Sequence, residues 1–369
     1  MAISTLPTRP ARSGVLAEAR FGNREPLARL AIACLAVFLV LVAGFSLAIG
    51  PLDIDLSREI GALFGNASAE AADALRDSVI LWQVRLPRVL LGALVGAALA
   101  VSGAMMQGLF RNPLADPGIV GVSAGAGLGA ASMIVLGGTA LAPLYLLLGI
   151  YALPLAAFFG GLLTTFVLYR IGTRGGFTSV ATMLLAGIAL AALAGAATGL
   201  LVYVADDQQL RDLNFWLLGS LAGSTWQKLA AVAPIIGIVL LTIPVFANGL
   251  NGLVLGEAAA GHLGVRVQRL KIVCIVAVAA ATGASVAVSG GIGFVGIVVP
   301  HLLRLSIGPD HRHLLPASAL LGASLLILAD TVSRTIVSPA ELPIGIVTAI
   351  AGAPVFLWIL LGRKGLTQA

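Results

Sequence analysis

Eight stretches of 17 residues or more contain no Asp, Glu, Lys or Arg: they lie between Arg29 and Asp53, Arg88 and Arg111, Asp116 and Arg170, Arg174 and Asp206, Lys228 and Glu257, Lys271 and Arg304, Arg312 and Asp330, and Glu341 and Arg363. A helix crossing a bilayer needs about 20 apolar residues, so the runs read as membrane spans. Composition agrees: the 369 residues are 59% hydrophobic and 10% charged, where soluble chains carry about 25% charged residues. Two of the runs are double. The one after Asp116 holds Gly137, Gly138, Pro143 and Pro154 and divides near residue 142, and the one after Lys271 is interrupted by SGGIGFVG at 289–296. The expectation is an all-α polytopic membrane protein with about ten transmembrane helices, near 30–50, 87–109, 117–137, 148–169, 179–204, 229–247, 270–289, 293–307, 314–335 and 342–362.

The segment LFRNPLADPGIVGVSAGAGLGA, residues 109–130, shows how one such turn is built. Asn112-Pro113 and Asp116-Pro117 push the chain out of helix, and Asp116 before Pro117 makes a good cap and first residue for the next one. Charge orients the spans. With the N-terminus inside, fifteen of the 22 Lys and Arg, from Arg9 to Lys364, fall on the cytoplasmic side, while acids such as Asp53, Asp206, Asp330 and Glu341 fall outside. The net charge of +6 then follows from topology and calls for no nucleic-acid partner. Residues 1–28 lack a signal-type apolar core and read as a cytoplasmic tail ahead of a permease domain at 29–363, with residues 364–369 as a cytoplasmic end. Cys34 and Cys274 both fall in spans and read as packing residues, not a disulfide.

Several motifs bear on chemistry. A P-loop requires Gly-Lys followed by Ser or Thr, and the chain has no Gly-Lys dipeptide, so it is not expected to hydrolyse ATP alone. Gly291-Ile-Gly293-Phe-Val-Gly296 matches a dinucleotide fingerprint but follows no soluble strand and lacks the acid about 20 residues on, so close helix packing explains it better. The same packing reading applies to Gly92/Gly96, Gly121/Gly125/Gly129 and Gly195/Gly199. His311-Arg312-His313, without Cys or further carboxylates, is a weak metal site and reads as a solvated turn. Residues 249–271 form a long polar interval of two short helices around a glycine, either an ordinary loop or a docking surface. Arg85 and Arg88 stand at the mouth of the second span, and Asp330 and Arg334 lie four apart at the outer end of the ninth, where opposite charges on a helix meet. They are either interface anchors or sites for an outside ligand.

RLPRVLLGALVGAALAVSGAMMQGLFRNPLADPGIVGVSAGA, LGEAAAGHLGV, GGIGFVGIVVPHLLRL and ELPIGIVTAIAGAPVFLWILL, taken in order, resemble the permease subunit of ABC importers for iron siderophores, haem and cobalamin, the FecCD family; the likeness runs from residue 30 to 362. It implies type II ABC importer permease architecture in the bacterial inner membrane. It also implies a homodimer serving two cytoplasmic ATP-binding subunits, which hold the ATP and Mg, and a periplasmic binding protein. No cofactor would be bound by this chain. Carried over by position, Arg85 and Arg334 resemble outer arginines that pair with glutamates of the binding protein. Asn112, Leu114, Thr178 and Ser179 resemble cytoplasmic gate positions. Coupling helices fall within about 251–268, with Gly256, Glu257, Ala258, Gly264 and Val265 at the ATPase seat. VADDQQLRDLNFWLLGSLAGSTW, residues 204–226, resembles haem-importing members, with Arg211 a partner for a propionate; a ferric siderophore or cobalamin remains open as cargo. An ion-driven secondary carrier would want acids near mid-membrane, and the spans read as free of them; a purely structural scaffold is disfavoured by the coupling-type loop.

Overall fold

The computed structural model describes residues 24–52, 54, 71–174 and 177–362. Most of the expected tail, the acids Asp53, Asp55, Glu59 and Glu70, and the expected C-terminal end at 364–369 lie outside the described residues. The helices in chain order are α1 (Glu25–Ala48), α2 (Ala71–Val79), α3 (Leu86–Phe110), α4 (Val122–Leu136), α5 (Ala142–Leu148), α6 (Ala152–Gly172), α7 (Val180–Val204) and α8 (Asp207–Leu218). They continue with α9 (Trp226–Leu241), α10 (Ile243–Val254), α11 (Glu257–His262), α12 (Val267–Ser289), α13 (Val295–Ile307), α14 (His311–Thr335) and α15 (Ile344–Gly362). A two-residue antiparallel ribbon, β1 (Thr173–Arg174) with β2 (Phe177–Thr178), joins α6 to α7.

Six segments are long and apolar enough to cross a bilayer, α9 and α10 together make a seventh bent by 48°, and α4, α13 and α15 are shorter apolar helices, which brings the described segments to the ten expected. The caps follow the chemistry anticipated for them, with local shifts. Helix α1 begins at Glu25, so residues 25–28, expected in the tail, form its first turn. Asp116 accepts from Gly118 N at 2.7 Å, but Pro117–Val120 forms a 3-10 turn and α4 starts only at Val122, after Gly121 at φ 75°. Ser179 caps α7, and an Asp206–Gln209 capping box starts α8, a helix the sequence pattern did not announce.

Helix α3 is the axle of the bundle: 83% of its span window is buried, against α14, α12 and α13. Glycine lets the backbones meet there. A Cβ at Gly103 would collide with the Gly296 carbonyl of α13, and one at Gly96 with Gly322 of α14. Gly125 and Gly129 of α4 meet Gly160 and Ala156 of α6 in the same way, as their spacing suggested, whereas Gly195 and Gly199 face open space on α7. That pair was expected to pack. Helices α1 and α7 are each only 11% buried within their span windows, and Cys34, expected to pack, is exposed on α1 while Cys274 is buried.

The break at 290–294 is non-helical backbone inside the bundle, with Gly290 at φ 68° and Phe294 at φ 68°. Such backbone is tolerated at membrane depth only where it is buried in protein or lines a water-filled cavity. Here Ser220 N donates to Ser289 O at 2.7 Å, and a Cβ on Gly290 would strike the Trp216 carbonyl. Within the glycine motif, Gly291 and Gly296 pack against the Leu217 and Leu99 carbonyls, whereas Gly293 faces open space.

Candidate functional site

Two clusters of charge, at opposite ends of the bundle, hold the residues singled out by the sequence. The first ties α1, α3 and α14 together at the end where α14 stops. Arg88 Nε donates to both Asp330 carboxylate oxygens at 3.0 Å, and its terminal nitrogens reach Glu341 at 2.8 and 2.9 Å. This fork-on-carboxylate geometry is among the strongest polar contacts available to a side chain. Glu341 lies beyond α14, and the hydrogen bond from Arg88 holds its carboxyl below the usual range. Arg334 donates to Ser46 Oγ at 2.8 Å and to Ser46 O, with Asp330 3.8 Å away. Arg85 donates to the carbonyls of Leu47 at 2.6 Å and Ala48 at 2.9 Å, and to Leu52 O.

Arg85 is 2% and Arg334 3% exposed. Both were expected to face an outside protein, and in this conformation both instead fasten the C-terminal end of α1, whose last carbonyls have no partner within the helix. The pairing expected between Asp330 and Arg334 is present but loose, because Arg88, a residue the sequence flagged only by position, has taken the carboxylate.

The second cluster sits at the other end, around α11. Asn112 and Leu114 lie in the tight turn after α3: Arg111 closes the helix at φ 49°, and Asn112 Oδ1 accepts from Leu114 N at 3.0 Å. Both are half-buried. Thr178 is buried in β2 and donates to Gln268 Oε1 at 3.2 Å, while Ser179, exposed, caps α7 by accepting from Thr182 N at 3.3 Å. Helix α11 is bounded by Gly256 at φ 102° and Gly264 at φ 86°, and only Ala260 of its six residues is buried. Ala258 and Gly264 are exposed and Val265 half-buried. Beside it a groove of about 560 Å³ is lined by Glu257, Ala258, Gly261, Val265, Arg266 and Gln268 among others. Val254, Leu255 and Leu263 flank the helix, each more than half exposed.

Lys271, which the sequence offered only as a basic residue at a span edge, is buried in the first turns of α12; its Nζ donates to Glu257 at 2.8 and 2.8 Å and to Thr178 O at 3.1 Å. No periodicity or motif links it to Glu257, 14 residues earlier. His311 is likewise buried, not solvated as expected: Asn251 Oδ1 bonds its Nδ1 and its backbone N, both at 2.9 Å, and its ring fills the space above Gly108. Asp310 caps α14 and accepts from Asn251 at 2.6 Å.

Between the two clusters, a cavity of about 450 Å³ is lined by Asp116, Ser123, Thr282, Gly293 and Phe294 among others. Asp116, read as a loop acid, thus reaches the interior, where capping Gly118 accounts for its carboxylate. Arg211, on α8 at the Arg88 end, is exposed and without an ion-pair or hydrogen-bond partner among the described residues.

A bundle of ten apolar segments with an interior break, an interior cavity and a small exposed helix at one end defines a multi-pass membrane permease. Residues 35–362 match the model of the FecCD transport family, and the chain belongs to that family. It is 43% identical over 347 residues to the hemin transport system permease protein HmuU of Yersinia pestis, covering 93% of this chain and 98% of that protein. It is 46% identical over 286 residues to the cobalamin import system permease protein BtuC of Halobacterium salinarum, covering 78% of this chain and 74% of that one. A transporter described as metal-chelate type ABC, solved in an inward-facing conformation, superposes with a TM-score of 0.77 at 33% identity, covering 90% of this chain and 98% of its own. The protein is an ABC importer permease, and the fold anticipated from its apolar runs and motifs is the one found.

Proposed function

We propose that two copies of this chain form the membrane path of an ATP-driven importer of haem or a related iron chelate, set in the bacterial inner membrane with both termini and the α11 end in the cytoplasm. Two ATP-binding subunits seat on Gly256, Glu257, Ala258, Gly264 and Val265 and perform all the hydrolysis with Mg; this chain binds neither nucleotide, cofactor nor nucleic acid. A periplasmic binding protein delivers cargo to the opposite end. There, buried Arg85 and Arg334 brace the rim on which it lands. Asn112, Leu114, Thr178 and Ser179, all at the α11 end, form the inner gate.

The observation that carries the reading is α11 itself: a six-residue helix of which only Ala260 is buried, flanked by exposed Val254, Leu255 and Leu263. An exposed apolar patch of that kind beside charge is what a partner's groove covers. Alternating access follows if ATP favours one geometry of the assembly over another, since only differential affinity shifts a two-state equilibrium.

Haem as cargo is supported by the match to a hemin permease along nearly the whole of both chains, and by Arg211, an exposed guanidinium at the entry end, unpaired among the described residues, that suits a propionate. Cobalamin is the second reading, supported by the 46% identity to a cobalamin permease over a shorter stretch. The test is ATPase stimulation of the reconstituted complex by its binding protein loaded with haem, a ferric siderophore or cobalamin. Stimulation by cobalamin or siderophore but not haem overturns the cargo. Uptake by the chain alone under an ion gradient, without ATPase subunits, overturns the importer reading.

A further inference from the structure

Helix α11 poses a mechanical problem. Glycines in the left-handed region stand at both of its ends, Gly256 at φ 102° and Gly264 at φ 86°, and one buried residue, Ala260, roots it in the bundle. A push on such an element is absorbed by its joints unless a side chain carries it inward. The side chain that does so is Lys271. An ammonium has three N–H donors, and here the acceptors are both oxygens of Glu257 on α11, at 2.8 Å each, and the backbone oxygen of Thr178 in β2, at 3.1 Å. Gln268, one turn earlier on α12, accepts from the Thr178 hydroxyl at 3.2 Å, and Thr173 and Thr178 share a hydroxyl contact of 3.0 Å across the ribbon. The ribbon is thereby fastened to α12 through its main chain and its side chain at once. The Lys271 side chain is 3% exposed and that of Glu257 43%: the buried member faces the ribbon and the open member faces outward.

We propose that Lys271 is the strut that carries displacement of α11 to the β1–β2 ribbon, and hence to Thr178 and Ser179 at the start of α7. It is a positioning residue, acting through Glu257 and Thr178 and touching no cargo. The inference rests on α11 as the ATPase seat, and its test separates the two.

The complex is reconstituted with its ATPase subunits, and spin labels placed on Arg174 in the ribbon and, separately, on exposed His262 of α11 report distances between copies with and without ATP. In Lys271→Met the ATPase subunits still co-purify and the α11 labels still move with ATP. The ribbon labels no longer follow, and cargo taken up per ATP hydrolysed falls about tenfold, within the usual range for coupling between sites. Lys271→Arg, which keeps a cation between Glu257 and Thr178, holds the ratio within about twofold of the parent, far short of the tenfold step that marks a lost coupling. Ribbon labels that track ATP in Lys271→Met as they do in the parent, or an unchanged uptake per ATP, overturn the strut. Should Lys271→Met fail to insert, Lys271→Gln is judged by the same two readouts. A parent chain that does not hold the ATPase subunits at all overturns the α11 reading instead.

Discussion

The arginine cluster and the lysine cluster are built from the same kinds of groups and do opposite work. Arg88 grips Asp330 across 242 residues of chain, and the Arg88 and Asp330 side chains are 9% and 3% exposed. Lys271 grips a carboxylate 14 residues away whose side chain is 43% exposed. A pair buried on both sides cannot lose one member cheaply, because the other is stranded in a low dielectric. A pair open on one side can, because water takes over. The first arrangement suits a fastening that must not move, joining α1, α3 and α14; the second suits a contact that a partner protein can reach.

The comparison breaks most sharply on Arg88. Arg88→Met should destabilise the folded protein by about 3–5 kcal/mol, the cost of leaving Asp330 buried with no hydrogen-bonded cation and only the loose Arg334 contact, read as a lower midpoint in detergent-solubilised unfolding. A loss under about 1 kcal/mol would show that water reaches the cluster. Next in size, Gly103→Ala should cost about 1–3 kcal/mol, since its methyl meets the Gly296 carbonyl and one of α3 and α13 has to shift. Lys271→Met should cost no more than about 1 kcal/mol because Glu257 becomes hydrated, so the two clusters differ in stability even where they match in chemistry.

Acid titration sharpens the contrast. Arg88 holds the Glu341 carboxyl below its ordinary value of 4.5. Its contribution is therefore complete above pH 4.5 and is lost as pH falls through the lowered folded value. Unfolding midpoints measured below pH 4.5 should drop in the parent, and the part due to Glu341 should vanish in Glu341→Gln. The smallest effect on stability belongs to Arg211→Ala, within about 0.5 kcal/mol for an exposed residue without partners among the described residues, while haem-stimulated ATPase activity falls. Unchanged stimulation would remove Arg211 from the cargo path.

Span number and placement were legible in the sequence because lipid demands long uncharged runs, and Pro and Gly mark where they end: Asn112-Pro113, Asp116-Pro117 and the glycines at 290–293 all fall at breaks between helices. Glycine pairs were legible only in part. Gly125/Gly129 and Gly195/Gly199 share one spacing, yet the first pair packs on α6 and the second faces open space, since spacing sets which face a glycine occupies and not what covers it. Arg85 and Arg334, expected to face an outside protein, are buried in the chain for a related reason. Charge at a span boundary says nothing about whether the side chain turns toward solvent or back onto the free carbonyls of a neighbouring helix.

Local rules of composition, capping and chain breaking act over a few residues and can be read along the chain, and they determined a ten-segment apolar bundle with its turns and polar ends. The partners of Arg88, Lys271, Ser46 and Asn251 were decided only by tertiary structure. Those contacts join residues from 14 to 288 positions apart, and which donor meets which carboxylate depends on helix rotations that no local pattern encodes.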